Sequence, residues 1–394
     1  MPETFRPTTE REINDALSWA LEKGAALDVR GSGSKRALGR LTAESAVVDL
    51  SGLTGITLYE PEELVLQARA GTPLAEIEAA LAAKNQELAF EPPDFGPLLG
   101  SNSKGTIGGL LACNLAGPRR IKAGAARDHF LGATAYAGRG EVFKTGSRVV
   151  KNVTGYDLCK VLAGSFGTLA IMSDVTVKVL PAAPEVRTAL VTGLTDTQAI
   201  TAMSDILGSA HEISAAAHLP AGVRAGGAVT ALRIEGPPAS VAHRVQEVST
   251  LLKAFGATSE LGRAESLKFW REIRDVTPFC TGERAVWRVS VAPSAGAAIG
   301  AAARALGGEV FYDWGGGLVW AAVPAIPASA AALRAAVAAA GGGHATLIRG
   351  SDSLRAAVPV FEPQDAATSR LTKNVKAAFD PKGVLNPGRI TADM

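Results

Sequence analysis

Cysteine is scarce in this 394-residue chain: Cys113, Cys159 and Cys280 stand far apart. No Cys-x-x-Cys pair occurs, which argues against an iron–sulfur cluster or a structural zinc. The odd count argues against a disulfide framework and suits a reducing compartment, so a cytoplasmic protein is expected. Histidine is almost as rare. The five residues, His129, His211, His218, His243 and His344, are dispersed without a metal-binding spacing, and no metal site is expected. A dominant charge is missing too, with 40 Lys and Arg against 38 Asp and Glu for a net +2. A nucleic-acid footprint would gather basic residues on one face, so no nucleic-acid partner is expected. The one local cluster, Arg119, Arg120 and Lys122, lies beside a glycine-rich segment and reads most economically as phosphate-binding. A solvated turn accounts equally for any single one of the three. The first ten residues lack the apolar stretch of a secretory signal. The stretch Ala328 to Ala340 is interrupted by Arg334 and falls short of the roughly 20 apolar residues of a membrane span. No direct membrane span is expected, and no repeat of solenoid length is present.

The patterns that are present describe a mixed α+β chain. Thr9 and Glu12 make a capping-box pair before a helix whose inward stripe is Ile13, Ala16, Leu17, Ala20 and Leu21, with Gly24 as its stop. Strands are expected at Leu27–Arg30, near Ala46–Leu50 and near Leu64–Ala68. Thr72-Pro73 then reads as N-cap and first turn of a helix that turns Leu74, Ile77, Ala80 and Leu81 inward. Leu169–Leu180 is rich in β-branched residues, and Pro181 and Pro184 mark the main boundary. Beyond it, Ala231–Ile234 and Val286–Val291 read as strands, and Ala297–Leu306 and Ser329–Ala340 as Ala-rich helices. Two domains follow, 1–182 and 183–394.

Glycine carries the strongest functional signal. Gly31-Ser-Gly-Ser-Lys-Arg36 opens like a dinucleotide fingerprint, but Arg36 stands where a third small residue must pack. Gly100 to Thr106 has P-loop glycine spacing without the lysine after its second glycine. Neither fingerprint holds. Four loops remain, at 30–34, 105–109, 116–119 and 164–168. Glycine lets backbone approach a ligand closely, and successive amide N–H groups can cup a pyrophosphate. Tight turns are the bland account of each loop alone; four in one chain favour the ligand.

The order and wording of these segments resemble the FAD-binding domain of the vanillyl-alcohol oxidase and p-cresol methylhydroxylase superfamily. The matching text is Arg30-Gly-Ser-Gly-Ser34, Glu60-Pro-Glu-Glu-Leu64, Ala70-Gly-Thr-Pro-Leu74, Gly105-Thr-Ile-Gly-Gly109 and Asn114-Leu-Ala-Gly-Pro118. Lys151-Asn-Val-Thr-Gly-Tyr-Asp-Leu158, Gly164-Ser-Phe-Gly-Thr168 and Phe379-Asp-Pro-Lys-Gly-Val-Leu-Asn-Pro-Gly-Arg389 complete it. Within the superfamily the chain is similar, over nearly its whole length, to the glycolate oxidase E-subunit family. The resemblance implies an α+β fold, with a two-part FAD-binding domain over 1–182 and a smaller mixed α/β cap over 183–394, whose segment 379–390 returns to the flavin.

It also implies roles. Arg30, Gly31, Ser32, Gly33 and Ser34 would form the first pyrophosphate loop. Thr106, Ile107, Gly108, Gly109 and Asn114, with Gly117 and Pro118, would form a second wall. Gly155, Tyr156 and Asp157 would lie beside the pocket, and Gly164, Ser165, Gly167 and Thr168 would line the groove. Asn386 would reach the flavin from the second domain. A valine at Gly108 would fill the space the diphosphate needs. Many relatives attach flavin through a histidine in the first loop; none stands here, so FAD would bind non-covalently. Phe166 replaces the family's usual glutamate and reads equally as core or as a flavin contact. The implied partners are a catalytic flavoprotein D subunit and an iron–sulfur F subunit, with glycolate oxidised through the complex. The implied location is cytoplasmic or peripheral to the inner membrane.

Oxidising a 2-hydroxy acid requires a base for the hydroxyl proton and a cation for the carboxylate. No residue is assigned to either task. The histidine- and glycine-rich metal segment of the D-subunit type is missing. His344 and Arg349, on one expected strand, would face opposite ways unless a bulge intervenes, and a structural histidine is the more economical account. An accessory, electron-relaying subunit is expected; a self-sufficient hydroxy-acid dehydrogenase and a structural subunit with an empty groove are the alternatives. The Trp270–Arg274 helix and the Trp314-Gly-Gly-Gly317 turn admit both packing and recognition readings.

Overall fold

The computed structural model describes residues 3–43, 45–147 and 155–393, so residues 151–154 of the Lys151–Leu158 motif lie outside the described residues. The chain divides into two compact units: 1–116, 124–182 and 363–394 form the first, and 117–123 with 183–362 the second.

In the first unit, helix Glu10–Lys23 buries Ile13, Ala16, Leu17 and Ala20, and Gly24 ends it at a φ of 62°. The expected capping box is only half made. Thr9 Oγ1 accepts the Glu12 N–H, but Glu12 turns its own carboxylate to the N–H and hydroxyl of Thr8. That helix packs with Leu27, Val48, Leu50, Leu53, Ile171, Val384 and Leu385 into one core. Strands Thr4–Phe5, Ala46–Asp49 and Leu27–Arg30 form a small parallel sheet. A second, antiparallel sheet orders Ile56–Glu60, Val65–Arg69, Ala170–Lys178, Phe130–Ala137 and Val142–Gly146. The helix after Thr72-Pro73 spans Leu74–Ala82. Thr72 does not cap it; its hydroxyl donates to the Arg69 carbonyl instead.

Residues 363–394, read from sequence as part of the second domain, belong to the first unit. Their backbone runs beside strand Leu27–Arg30: Leu27 N donates to Val384 O at 2.7 Å, and Asn386 N to Leu27 O at 2.9 Å.

The second unit is built on an eight-stranded antiparallel sheet. Its spatial order is Thr258–Leu261, Glu185–Thr192, Val229–Gly236, Ala215–Leu219, Glu309–Asp313, Leu318–Val323, Ala285–Ser290 and His344–Arg349. Alternate side chains of a strand face opposite sides. Val191, Leu232, Trp287, Val289, Tyr312, Val319 and Leu347 meet Met203, Val241, Val245, Ile299 and Leu333 from four helices in one core. Helix Arg263–Arg274 buries Phe269, Trp270 and Ile273. Trp270 donates its indole N–H to Thr188 Oγ1 at 2.9 Å, so this tryptophan is a packed residue.

Candidate cofactor site

Strand Leu27–Arg30 delivers its following loop into an open cavity in the first unit. Of the residues singled out in the sequence, Arg30, Gly31, Ser32, Gly33, Ser34, Thr106, Gly108, Gly109, Gly167 and Asn386 line it. So does Phe166, and so do Asp28, Val29, Lys35, Arg36, Leu50, Ala70, Ala112, Cys113, Ala170, Met172 and Arg389, to which the sequence reading gives no part in the site. The Lys35-Arg36 pair was visible in the text of the first loop, but was read only as a break in a fingerprint.

The loops do not contribute equally. Among the described residues, no protein acceptor takes the N–H groups of Ser32, Gly33, Ser34 or Lys35. In the second loop the amides are spent: Ile107 N donates to Thr72 O, Gly108 N to Ala70 O, and Gly109 N to Thr106 Oγ1. The first loop therefore offers free amide donors beside the cavity, whereas the second contributes only wall. The glycines differ in the same sense. A Cβ at Gly33, where φ is 78°, would stand in open space. A Cβ at Gly108 would lie 2.7 Å from Ala70 Cβ and 2.8 Å from its carbonyl. Gly108 is thus required by packing, which corrects the expectation that its missing side chain leaves room for diphosphate.

Charge favours an anion. Arg30, Lys35, Arg36 and Arg389 line the cavity against one carboxylate, Asp28, which pairs with Arg36 and lies 3.8 Å from Arg30. Lys35 Nζ is 3.3 Å from Ser34 Oγ, and a Cβ on Gly105 would meet it at 3.2 Å. Burial pulls the Lys35 pKa down, while Cys113 and Asp94 act against that. Burial pushes the Cys113 thiol up, opposed by Lys35 and Arg389. A ligand with two phosphates would supply the missing negative charge.

Asn386 ties the cavity wall together. Its Oδ1 accepts the Val29 N–H at 2.7 Å, and its Nδ2 donates to Phe166 O at 2.7 Å. Behind it, buried Lys376 donates to Thr168 O, Asp380 Oδ2 and Leu385 O at 2.7, 2.6 and 2.9 Å. Phe166 itself lines the cavity, half-buried at a φ of 53°.

The other predicted residues do not line this cavity. Ile107 is fully buried in the core. Asn114 ends its helix in the left-handed conformation and accepts the Arg127 N–H. Gly164, Ser165 and Thr168 shape the loop that carries Phe166, through bonds from Gly164 N to Leu111 O and from Thr168 N to Ser165 O. Tyr156 is 91% exposed, Asp157 pairs with Lys160 at 3.3 Å, and Gly155 precedes them with open space around it. Gly117 and Pro118 belong to the second unit.

None of the five histidines lines the cavity. His218 is buried against Thr230 Oγ1 at 2.9 Å, with Asp196 at 3.6 Å. His129 is buried beside Phe90, and His344 is exposed at the start of its strand. Arg349 holds the Phe279 and Arg284 carbonyls. The basic cluster separates as well: Arg119 pairs with Glu235 at 2.8 Å and Lys122 with Glu212 at 3.2 Å. Among the described residues, no helix is long and apolar enough to cross a membrane.

Comparison with known proteins agrees with this geometry. Residues 3–146 match the FAD binding domain family, and residues 361–390 match the C-terminal domain of FAD linked oxidases. The glycolate oxidase subunit GlcE of Escherichia coli K12 is 33% identical over 97% of this chain and 96% of its own length. Glycolate oxidase subunit GlcD of Bacillus subtilis is 31% identical over 46% of this chain and 37% of its own. In structure, p-cresol methylhydroxylase superposes with a TM-score of 0.73 at 13% identity, covering 99% of this chain and 88% of that one. The cavity thus lies largely in the part of the chain that matches the FAD binding domain family, the fold is that of p-cresol methylhydroxylase, and the chain belongs to the family of the glycolate oxidase subunit GlcE.

Proposed function

We propose that this chain is the accessory FAD-holding subunit of a glycolate oxidase complex that converts glycolate to glyoxylate. The amides of Ser32 to Lys35 and the ammonium of Lys35 would hold the diphosphate, with the Thr106–Gly109 turn and Phe166 as walls. No histidine stands in the cavity to form a covalent link, which supports non-covalent binding. FAD, when bound, supplies a two-electron acceptor. The observation that supports the accessory role is the cavity wall itself: among the described residues its one carboxylate, Asp28, is engaged by arginine, and no histidine lines it. In this reading, a catalytic D subunit takes the proton and hydride from glycolate, and an iron–sulfur F subunit receives the electrons. The complex would lie in the cytoplasm or at the inner face of the membrane.

Co-purification with the D and F subunits, followed by flavin counting, tests the assignment. One acid-releasable FAD per copy of this chain is expected, and anaerobic glycolate should leave the flavin of the isolated chain oxidised. Rapid bleaching by glycolate would instead identify a self-sufficient dehydrogenase, and a colourless chain that ignores added FAD would end the flavoprotein reading.

A further inference from the structure

The Trp314 turn and the basic segment 117–123, neither of which the cofactor site uses, come together within the second unit. Trp314 follows strand Glu309–Asp313 at a φ of 54° and is 5% exposed. The turn after it is closely packed: a Cβ at Gly316 would meet Pro293 O at 2.8 Å, and one at Gly315 would meet the Leu207 side chain at 2.5 Å. The Trp314 indole N–H donates to Gly117 O at 3.1 Å, and Arg119 holds Glu235 through two bonds of 2.8 and 3.0 Å. These two anchors place the Arg120 guanidinium 4.4 Å from the centre of the Trp314 ring. Arg288 stands 5.0 Å from the same ring, projecting from strand Ala285–Ser290 on the side opposite Trp287 and Val289, which enter the helix-packed core.

Two guanidiniums at one indole repel each other, and among the described residues neither has a carboxylate within ion-pair distance. Burial first, and then the charge of Arg120, push the Arg288 pKa down to about 10, with Asp313 acting in the opposite sense. Asp313 is buried and accepts the Trp314 N–H at 2.7 Å. Arg233 lies 3.6 Å from Glu235. Arg120 and Arg288 thus concentrate positive charge at the indole, which a bound anion would offset. The planar fork of arginine matches a carboxylate, and Arg120, at an exposed position, is within reach of one from solvent. Thr346 is the direct cross-strand partner of Arg288, so its hydroxyl shares that side of the sheet.

We propose that Arg288 and Arg120, set against Trp314, bind the carboxylate of a small 2-hydroxy or 2-keto acid, with Thr346 beside its second oxygen function. The site uses residues of the second unit alone, so it stands or falls separately from the accessory-subunit assignment.

Anaerobic calorimetric titration of the FAD-loaded full chain tests it, using glycolate, its neutral amide glycolamide and inorganic phosphate as probes. Saturable glycolate binding is expected, with glycolamide at least tenfold weaker and phosphate weaker than glycolate. Arg288→Met should weaken glycolate at least tenfold, and Arg288→Lys should restore part of the loss. Arg120→Met, at an exposed position, should weaken glycolate severalfold without moving the melting temperature. The proposal is overturned if the wild-type chain takes up no glycolate, if phosphate binds more tightly, or if Arg120→Met and a folded Arg288→Met both bind as wild type does.

Discussion

Gly33 and Gly108 sit on one cavity wall for opposite reasons, and that difference can be measured. At Gly33 a side chain would meet no atom within 4 Å, and the cost is the left-handed backbone, about 1–2 kcal/mol for an L residue. Gly33→Val should therefore fold, melt a few degrees lower, and lose FAD because its side chain points into the ligand space. Gly108→Val drives a branched side chain into Ala70 and should fail to accumulate as folded protein. Flavin absorbance per chain together with a thermal melt separates the two; a folded Gly33→Val with full FAD content would remove the first loop from the site. Lys35 makes the companion case. Hydrogen bonds to charged groups contribute about 1.5–3 kcal/mol, so Lys35→Met should weaken FAD about ten- to a hundredfold in a fluorescence titration, with little change in the apo-protein's melt. The first loop was legible from its glycines and serines. Lys35 was not, because nothing in a linear text says that a lysine following a glycine turn folds back into the cavity rather than out to solvent.

Among elements, helix Ala366–Phe379 is unusual in how it is held. Lys376 is its one buried residue, and the ammonium of that side chain satisfies three acceptors, two of them carbonyls of the cavity loop and the closing segment. Asp380 repeats the device from the other side by accepting the N–H groups of Val384 and Leu385. Removing one partner of a buried pair strands the other, at about 3–5 kcal/mol. Lys376→Met should lower stability by that order in urea denaturation and weaken FAD through the loosened Thr168 and Leu385 backbone. A stability change below about 1 kcal/mol would show that the helix is held by something else. The strands and helices themselves were readable from periodicity, as with Ile13, Ala16, Leu17 and Ala20. The use of the second-loop amides was not, since their acceptors, Ala70 O and Thr72 O, are backbone atoms that any residue would supply.

The molecule as a whole carries balanced charge, so its response to acid is set by a few carboxyls whose surroundings differ most from water. The two held lowest both lie in the second unit. Burial alone would raise the Glu235 carboxyl, but Arg233 and Arg119 outweigh it and hold it at about 2. For Asp196, burial is outweighed by nearby His218 and by bonds from Tyr312 and Arg304, again to about 2. Proline punctuation near 181 marked where this unit begins, but sequence could not return 363–394 to the first unit, because that depends on backbone pairing with Leu27 rather than on composition. Nor could it pair Arg119 with a glutamate 116 positions away. Both carboxyls are more acidic folded than unfolded, so the stability they confer is complete above about pH 4.5 and lost as pH falls toward 2. At about 1.4 kcal/mol per pH unit, Glu235 alone contributes about 3 kcal/mol at neutrality. Glu235→Gln should therefore destabilise strongly at pH 7, where it removes a counter-charge beside Arg119 and Arg233, and by progressively less toward pH 3, as the wild-type carboxyl gains its proton. Urea midpoints measured for both proteins between pH 7 and 3 should converge. Parallel curves would mean that Glu235 acts through its shape and hydrogen bonds and not through its charge.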